Sequence, residues 1–338
     1  MTQWIGTANH GFATLAMEEL RRLFREVKFV QLKAGEIFRM EVPLSREEAI
    51  AELLANEPIF LRHIQPIDRT LPIQGDADDL EALSELVRNA RMRCEGKTIA
   101  IHLRRAEGTP FLYSASDTKA VLDAVIMELG GEPAMQSPDV IFSIYAGAEE
   151  LQVGWGTPKE QLSDWPGGAV RFQREDGQIS RAKFKLLEAE RAFNLHFETY
   201  KEAMDIGAAP GGWTHLLLER GLRVTSVDPA ELHPVLKSYP RLSYLKKNAS
   251  DVKFPNGTFD LLVCDMSWSP MQMSKLVLEK LDALTNRATA IITVKLMHKK
   301  PLQTIRDVIE RLESEFVLKK AKQLFHNRDE ITLYLIKK

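Results

Sequence analysis

From Ser180 onward the sequence alternates short apolar runs with helical segments, and that alternation restricts the fold more than any other feature. The runs are AMDIGAA, LRVTSVD, RLSYLKK, FDLLVCDM, AIITVKL and ITLYLI. Short apolar strands with helices between several of them predict an α/β domain over 180–338 with a mostly parallel central sheet. No internal repeat at a fixed period is evident.

The upstream half reads as two smaller α/β units. In 1–65, GFATLAMEELRRLF has helical spacing, with Leu15, Leu20 and Phe24 on or near one face, and EIFRMEVP alternates like a strand. In 66–160, KTIAIHLRR reads as a strand and SASDTKAVLDAVIMELGG as a helix that stops at Gly130 and Gly131. The strands DVIFSIYAG and EELQVGWG follow. The stretch 161–179, rich in Pro, Gly and charge and without periodicity, is expected to link this half to the rest.

One turn in the C-terminal half suits a ligand. Asp205, Ile206, Gly207, Ala208, Ala209, Pro210, Gly211, Gly212 and Trp213 follow a short apolar strand and lead into the helix WTHLLLERGL. A glycine-rich strand-to-helix turn lets backbone approach a bound molecule closely. Pro210 interrupts it and the third glycine of the dinucleotide fingerprint is missing, so NAD is not favoured. The next strand ends in Asp228, where an acid accepts hydrogen bonds from a ribose diol. Together they suggest an adenosyl ligand, although a tight turn without ligand and a helix-capping Asp228 are the plainer alternatives.

Charges inside the apolar strands point to the same crevice. Asp265 closes FDLLVCDM and Lys295 lies near the end of AIITVKL. Such charges are costly unless paired or facing a cleft, and open α/β sheets place their clefts at the carboxyl ends of strands. Glu330 opens the last strand at its amino end, and an antiparallel final strand would bring it to that rim. Lys185 shares a helical face with Ala182 and Ala189, from which it could lean into a site; a solvated surface lysine is the alternative.

Bulk properties narrow the classes. The 338 residues suggest two or three domains, and the net charge of −2 gives no global pull toward nucleic acid. RNA affinity would have to come from local clusters such as Arg88, Arg91, Arg93, Arg104 and Arg105, or Arg171, Arg174, Arg181 and Lys183. Trp155 and Trp165 could stack on bases, with core packing favoured for Trp155. No apolar run approaches a membrane span and no signal peptide is evident, so a cytoplasmic protein is expected. Two distant cysteines and scattered histidines argue against a disulfide framework and a catalytic metal.

These residues together resemble the FtsJ-like ribose 2′-O-methyltransferases, over roughly 180–338. Ser180 to Leu186 are similar to that family's SRxxxKL element, Asp205 to Trp213 to its DxGAxPGGW loop, and Cys264-Asp265-Met266 to its CDM element. Lys295 in VKL and Glu330 in RDEIT complete a Lys-Asp-Lys-Glu tetrad. The resemblance implies a Rossmann-like domain that binds S-adenosylmethionine through Asp205, Gly207, Ala208, Pro210, Gly211, Gly212, Trp213, Asp228 and Asp265. Lys185, Asp265, Lys295 and Glu330 would be its catalytic residues. Where the family has an acid facing adenine this chain has Asn248, with Asp251 three residues on, and either could make that contact.

Upstream, strand order and the VGWG ending resemble a small ferredoxin-like domain followed by a THUMP RNA-binding domain, as in the ribosomal RNA large-subunit methyltransferase M group. That group implies the 2′-hydroxyl of a cytidine in 23S ribosomal RNA as substrate, with a monomer favoured. Two rivals are an RNA base methyltransferase and a non-catalytic RNA-binding protein. The first usually needs an Asn/Asp-Pro-Pro-Tyr loop or catalytic cysteines, which Asp265-Met266-Ser267-Trp268 does not supply. Lys295 would serve either as base for the hydroxyl or as the group that orients it, with burial and Lys185 lowering its pKa and the two carboxylates opposing them.

Overall fold

The computed structural model describes residues 1–173, 177–296 and 300–338. They divide into two compact units, Met1–Ala169 and Val170–Lys338.

The first unit begins with β1 (Thr2–Thr7), α1 (Ala13–Leu23), β2 (Lys28–Lys33), β3 (Ile37–Val42), α2 (Arg46–Ala55) and β4 (His63–Pro66). Its strands form a sheet of order β2-β3-β1-β4, antiparallel at every pairing. Then come β5 (Arg69–Pro72), α3 (Asp78–Arg88), α4 (Arg91–Cys94), β6 (Thr98–Arg105), α5 (Ala115–Glu128), β7 (Glu132–Pro133), β8 (Val140–Ala146) and β9 (Glu150–Gly156). These strands build a mixed sheet of order β5-β9-β8-β6-β7. Helix α5 starts on a capping box between Ser114 and Asp117, which satisfies amide donors left over at a helix start. It is over by Gly130, whose φ of 78° reverses the chain at no steric cost to a residue without Cβ.

The two sheets of this unit are stitched by buried and half-buried polar groups. The Gln65 amide donates to the Gln152 carbonyl at 2.9 Å, and Arg46 pairs with Asp68 at 2.9 Å. Arg104 donates to the Thr7 hydroxyl and the Gln65 side chain and lies over the Tyr145 ring at 5.7 Å. Burial pushes its pKa down to about 10. The expected phosphate contact at Arg104 is therefore corrected: its guanidinium is part of the interior. Trp155 is likewise core, packed on Phe142 with ring centroids 4.4 Å apart. The stretch read as a linker is not all linker either. Gln161 is fully buried and accepts from the Ser143 hydroxyl at 2.7 Å, and the unit boundary falls after Ala169.

The second unit runs α6 (Ala182–Ala192), β10 (Glu202–Ile206), α7 (Gly212–Glu219), β11 (Arg223–Val227), β12 (Leu242–Leu245) and β13 (Phe259–Cys264). It continues with α8 (Pro270–Glu279), β14 (Leu284–Lys295), α9 (Pro301–Leu312), β15 (Phe316–Lys322) and β16 (Glu330–Lys337). The sheet order is β12-β11-β10-β13-β14-β16-β15. Neighbours from β12 to β14 are parallel, and β16 is antiparallel to both its neighbours. Strand order reverses between β10 and β13, so a crevice opens at the carboxyl ends there. One strand, β15, is absent from the sequence reading. FVLKKAK lies on the edge, pairs only with β16, and shows lysines instead of an apolar run.

Replacing the buried guanidinium leaves the Thr7 and Gln65 acceptors without their donor. Arg104→Ala is expected to lower the free energy of urea unfolding by about 2–4 kcal/mol, followed by circular dichroism. A surface phosphate contact would leave that midpoint where it is.

Candidate active site

Strand β10 delivers the glycine turn to the crevice. Gly207 and Gly211 hold φ of 76° and 109°, in the region closed to most side chains. A Cβ on Gly207 would sit 2.4 Å from Met266 Cγ, and one on Gly211 2.2 Å from Leu236 Cδ1. The turn is thus bare backbone by steric necessity. Beneath it Asp205 is buried and accepts from the Thr214 hydroxyl at 2.6 Å, which lies 2.7 Å from the Ser226 hydroxyl. Burial raises the Asp205 pKa to about 7, with the Thr214 hydrogen bond opposing.

Asp228 follows β11, next to the turn. Its carboxylate accepts from the Ala209 amide at 3.0 Å and the Ala230 amide at 2.7 Å. Asp228 therefore shapes the loop that carries Ala208 and Pro210; it caps no helix, since the next helical turn, at 234–238, has His233 at its N-cap. Asn248 and Asp251 follow β12 on the same rim, both exposed, with Asp251 accepting from the Ser250 hydroxyl at 3.1 Å. Trp213 differs from its sequence reading. It is only 3% exposed, and its indole N–H donates to the Ala182 carbonyl at 2.8 Å, so its ring pins α6 to α7 and lies in the core. Gly212 has the same reason to be glycine: a Cβ there would meet Ser180 Oγ at 2.3 Å.

Four charges meet at the ends of β13 and β14. Lys185 Nζ lies 3.0 Å from Asp265 Oδ2 and 2.6 Å from Glu330 Oε1. Lys295 Nζ lies 3.2 Å from Asp265 Oδ1 and pairs with Glu330 Oε2. Each lysine thus bridges both carboxylates. The Thr293 hydroxyl donates to Asp265 at 2.8 Å, and the Asn327 amide donates to Glu330 at 3.4 Å. Glu330 reaches the rim because β16 runs antiparallel to β14 in a register that sets Lys295 opposite Glu330.

Electrostatics follow from this arrangement. Burial works to raise the Asp265 pKa, but Lys185 and Lys295 outweigh it and hold the carboxyl below its usual range. For Lys295 burial works to lower the pKa, and Asp265 and Glu330 outweigh that, so the ammonium is held charged above the usual lysine value. Of the influences weighed on Lys295, the carboxylates win in the substrate-free protein.

Residues 178–328 match the FtsJ-like methyltransferase family. Over nearly its whole length the chain is similar to "Ribosomal RNA large subunit methyltransferase M" of Laribacter hongkongensis (strain HLHK9), at 32% identity across 96% of this chain and 94% of that one. The chain belongs to this family. The protein of the same name from Halorhodospira halophila (strain DSM 244 / SL1) is 37% identical over a match that spans 50% of each chain. The crystal structure of TrmN from Thermus thermophilus aligns over 99% of both chains at 14% identity and a TM-score of 0.39.

As a member of the large-subunit methyltransferase M family the chain is an enzyme, and its tetrad stands beside an open cavity of about 680 Å³. Its lining includes the rings of Phe184, Phe325 and His326 together with Lys185, Lys295 and Glu330. Glu188 was missed by the sequence reading. It is 4% exposed and accepts from the Phe325 amide at 2.7 Å and the His326 amide at 2.8 Å, so it ties the aromatic wall to α6. Its place one helical turn after Lys185 was the available signal. Of the basic cluster near the opening, Arg171 and Arg181 are exposed, while Lys183 is 4% exposed and paired with Glu219 at 2.9 Å, which corrects its expected role as an RNA contact. Arg174 lies outside the described residues. In the other cluster, Arg88 pairs with Glu81 and Arg91 with Glu95, and Arg105 donates to the Phe111 carbonyl. Among the described residues no group of three His, Cys, Asp or Glu is placed to hold a metal ion, and no helix is long and apolar enough to cross a membrane.

The buried Asp205 makes stability depend on pH with a definite sign. Its folded pKa is about 7 against an ordinary value of 3.8, so between those limits the folded chain binds a proton that the unfolded chain has released. Its contribution is fully present at low pH and declines as pH rises toward about 7, by up to about 1.4 kcal/mol per unit. Asp205→Asn removes the decline. Thermal melting of both forms from about pH 5 to about pH 8 should show the variant gaining on the native chain as pH rises; parallel curves would contradict the assignment.

Proposed function

We propose that the protein transfers a methyl group from S-adenosylmethionine to a ribose 2′-hydroxyl of large-subunit ribosomal RNA. The observation that carries this reading is the Lys185–Asp265–Lys295–Glu330 quartet at the strand ends beside the bare-backbone turn.

The turn fits the cofactor on structural grounds. Gly207 and Gly211 let the turn pack closely against Met266 and Leu236 at positive φ, and Asp228 supplies an acid at the end of the neighbouring strand. Either Asn248 or Asp251 would face the adenine. S-adenosylmethionine, when bound, supplies an electrophilic methyl group on a sulfonium. The remaining work is positioning a weak nucleophile in line with it.

The lysines serve that positioning. Lys295, held protonated by two carboxylates, donates a hydrogen bond to one lone pair of the 2′-oxygen and leaves another directed at the methyl carbon. The hydroxyl proton passes to water. Asp265 and Glu330 keep both ammonium groups in place, and Lys185 holds the two carboxylates together from the other side. A base role for Lys295 would require bound substrate and cofactor to reverse the effect of both carboxylates.

For the RNA, Arg181 offers an exposed cation at the cavity and Arg171 is exposed nearby in sequence; their phosphate contacts would weaken with salt. We read the five-stranded part of the first unit as a THUMP-like RNA-binding element and the four-stranded part as its companion domain. A cytoplasmic monomer acting on a cytidine of 23S ribosomal RNA is the reading that the resemblance supports.

Lys295→Ala and Asp265→Ala are each expected to reduce methyl transfer into unmodified large-subunit RNA by about a hundredfold or more, while for Lys295→Ala calorimetric affinity for S-adenosylmethionine stays near that of the native chain. Mass spectrometry of the product should find the methyl on ribose; a methylated base would support the rival enzyme class. With Lys295 orienting as an ammonium, the single-turnover rate should be flat between about pH 7 and about pH 9. A tenfold rise per pH unit across that range would instead make Lys295 the base.

A further inference from the structure

The cavity beside Lys295 has more chemistry than ribose positioning requires. Its volume of about 680 Å³ exceeds what a hydroxyl and its proton need, and lies within the range of roughly 300–1,000 Å³ typical of pockets that enclose whole small ligands. One wall is aromatic. Phe172 stacks on Phe184 and on His326 at centroid distances of 5.6 and 5.4 Å, and Phe325 meets His326 edge-on at 5.2 Å. Phe325 and His326 are half-buried, so ring surface remains open to the cavity, and exposed Arg181 and Arg328 stand among its lining residues. The wall is also fixed in place: Glu188 holds both the Phe325 and His326 amides from the helix that carries Lys185.

We propose that this cavity is a nucleobase pocket, in which the base of the target nucleotide, turned out of its stack, lies against Phe325 and His326 while Arg181 and Arg328 hold the flanking phosphates. This rests on the ribose reading above and adds to it the way the substrate is gripped. A flat aromatic face suits any base, and cations at the mouth suit the backbone on either side. With the base seated against the rings, its ribose stays within the same cavity that Lys295 lines. Turning a base out of a helix costs a few kcal/mol and stacking against protein rings offsets it, so an unstacked or looped target is favoured over a paired one.

The experiment compares the native chain with Phe325→Ala, Phe325→Trp and Arg328→Ala on large-subunit ribosomal RNA from cells lacking the protein. Phe325→Ala is expected to lower kcat/KM for RNA about tenfold or more, with S-adenosylmethionine affinity and melting temperature unchanged. Phe325→Trp, which keeps a stacking face, should restore most of the loss. Arg328→Ala should raise KM for RNA and flatten its dependence on salt. Phe325→Ala and Arg328→Ala chains that fold, bind cofactor and methylate with native kcat and KM would overturn the pocket, as would a Phe325→Trp chain no better than Phe325→Ala. Mapping the native product separates the two levels: ribose methylation with unaffected variants removes the pocket alone, whereas base methylation removes the reading it rests on.

Discussion

Two lysines and two carboxylates of alternating sign share one rim of the second unit, and each side chain needs the other three. Glu330 is 3% exposed, and Asp265 keeps its charge in spite of burial only because Lys185 and Lys295 stand beside it. A buried charge left without its partner is destabilising, and here each carboxylate has two lysines to hold it. The sheet is what assembles it. Asp265 and Lys295 end adjacent parallel strands, Glu330 starts the antiparallel strand opposite Lys295, and Lys185 leans in from α6. A parallel β16 would send Glu330 to the far end of the sheet and leave both lysines short of an acceptor.

The balance of charges also decides what the lysines do. Burial alone would make Lys295 readily deprotonated, and the sequence leaves that outcome open. In the folded chain the carboxylates prevail, which makes the residue a fixed hydrogen-bond donor whose direction is set by Asp265 on one side and Glu330 on the other. Such a donor is already oriented before substrate arrives and requires little rearrangement when it binds. The nearby Asp205 behaves oppositely. The Thr214 hydrogen bond offsets its burial only in part, Asp265 and Asp228 add to the effect, and its pKa rises to about 7.

Much of this was legible in the amino-acid order. Asp265 and Lys295 stood out because a charge inside an apolar run needs a reason, and Gly207 and Gly211 because they follow such a run. Glu330 depended on guessing the direction of the last strand. What the sequence hid was of two kinds. Arg104 and Lys183 look like surface cations in a one-dimensional pattern, and only the packing around Gln65 and Glu219 shows them to be interior. Phe325 and His326 gave no signal, because the aromatic wall joins a loop to a helix more than a hundred residues away in the chain, and Glu188 gave only its place one turn after Lys185. Strand β15 escaped since an edge strand faces solvent and keeps lysines where a central one would have valines.

Helix α6 links these parts. Its first residue, Ala182, accepts the Trp213 indole N–H and so fixes the helix to the cofactor turn; Lys185 enters the quartet one turn later; and Glu188, a further turn on, carries the aromatic wall. Methyl transfer needs donor and acceptor aligned to a fraction of an ångström. Hanging the glycine turn, the charged quartet and the aromatic wall on one short element makes their separations depend on a single helix rather than on three loops. A displacement of α6 would disturb all three at once, so its buried contacts with α7 bear on catalysis as well as on stability.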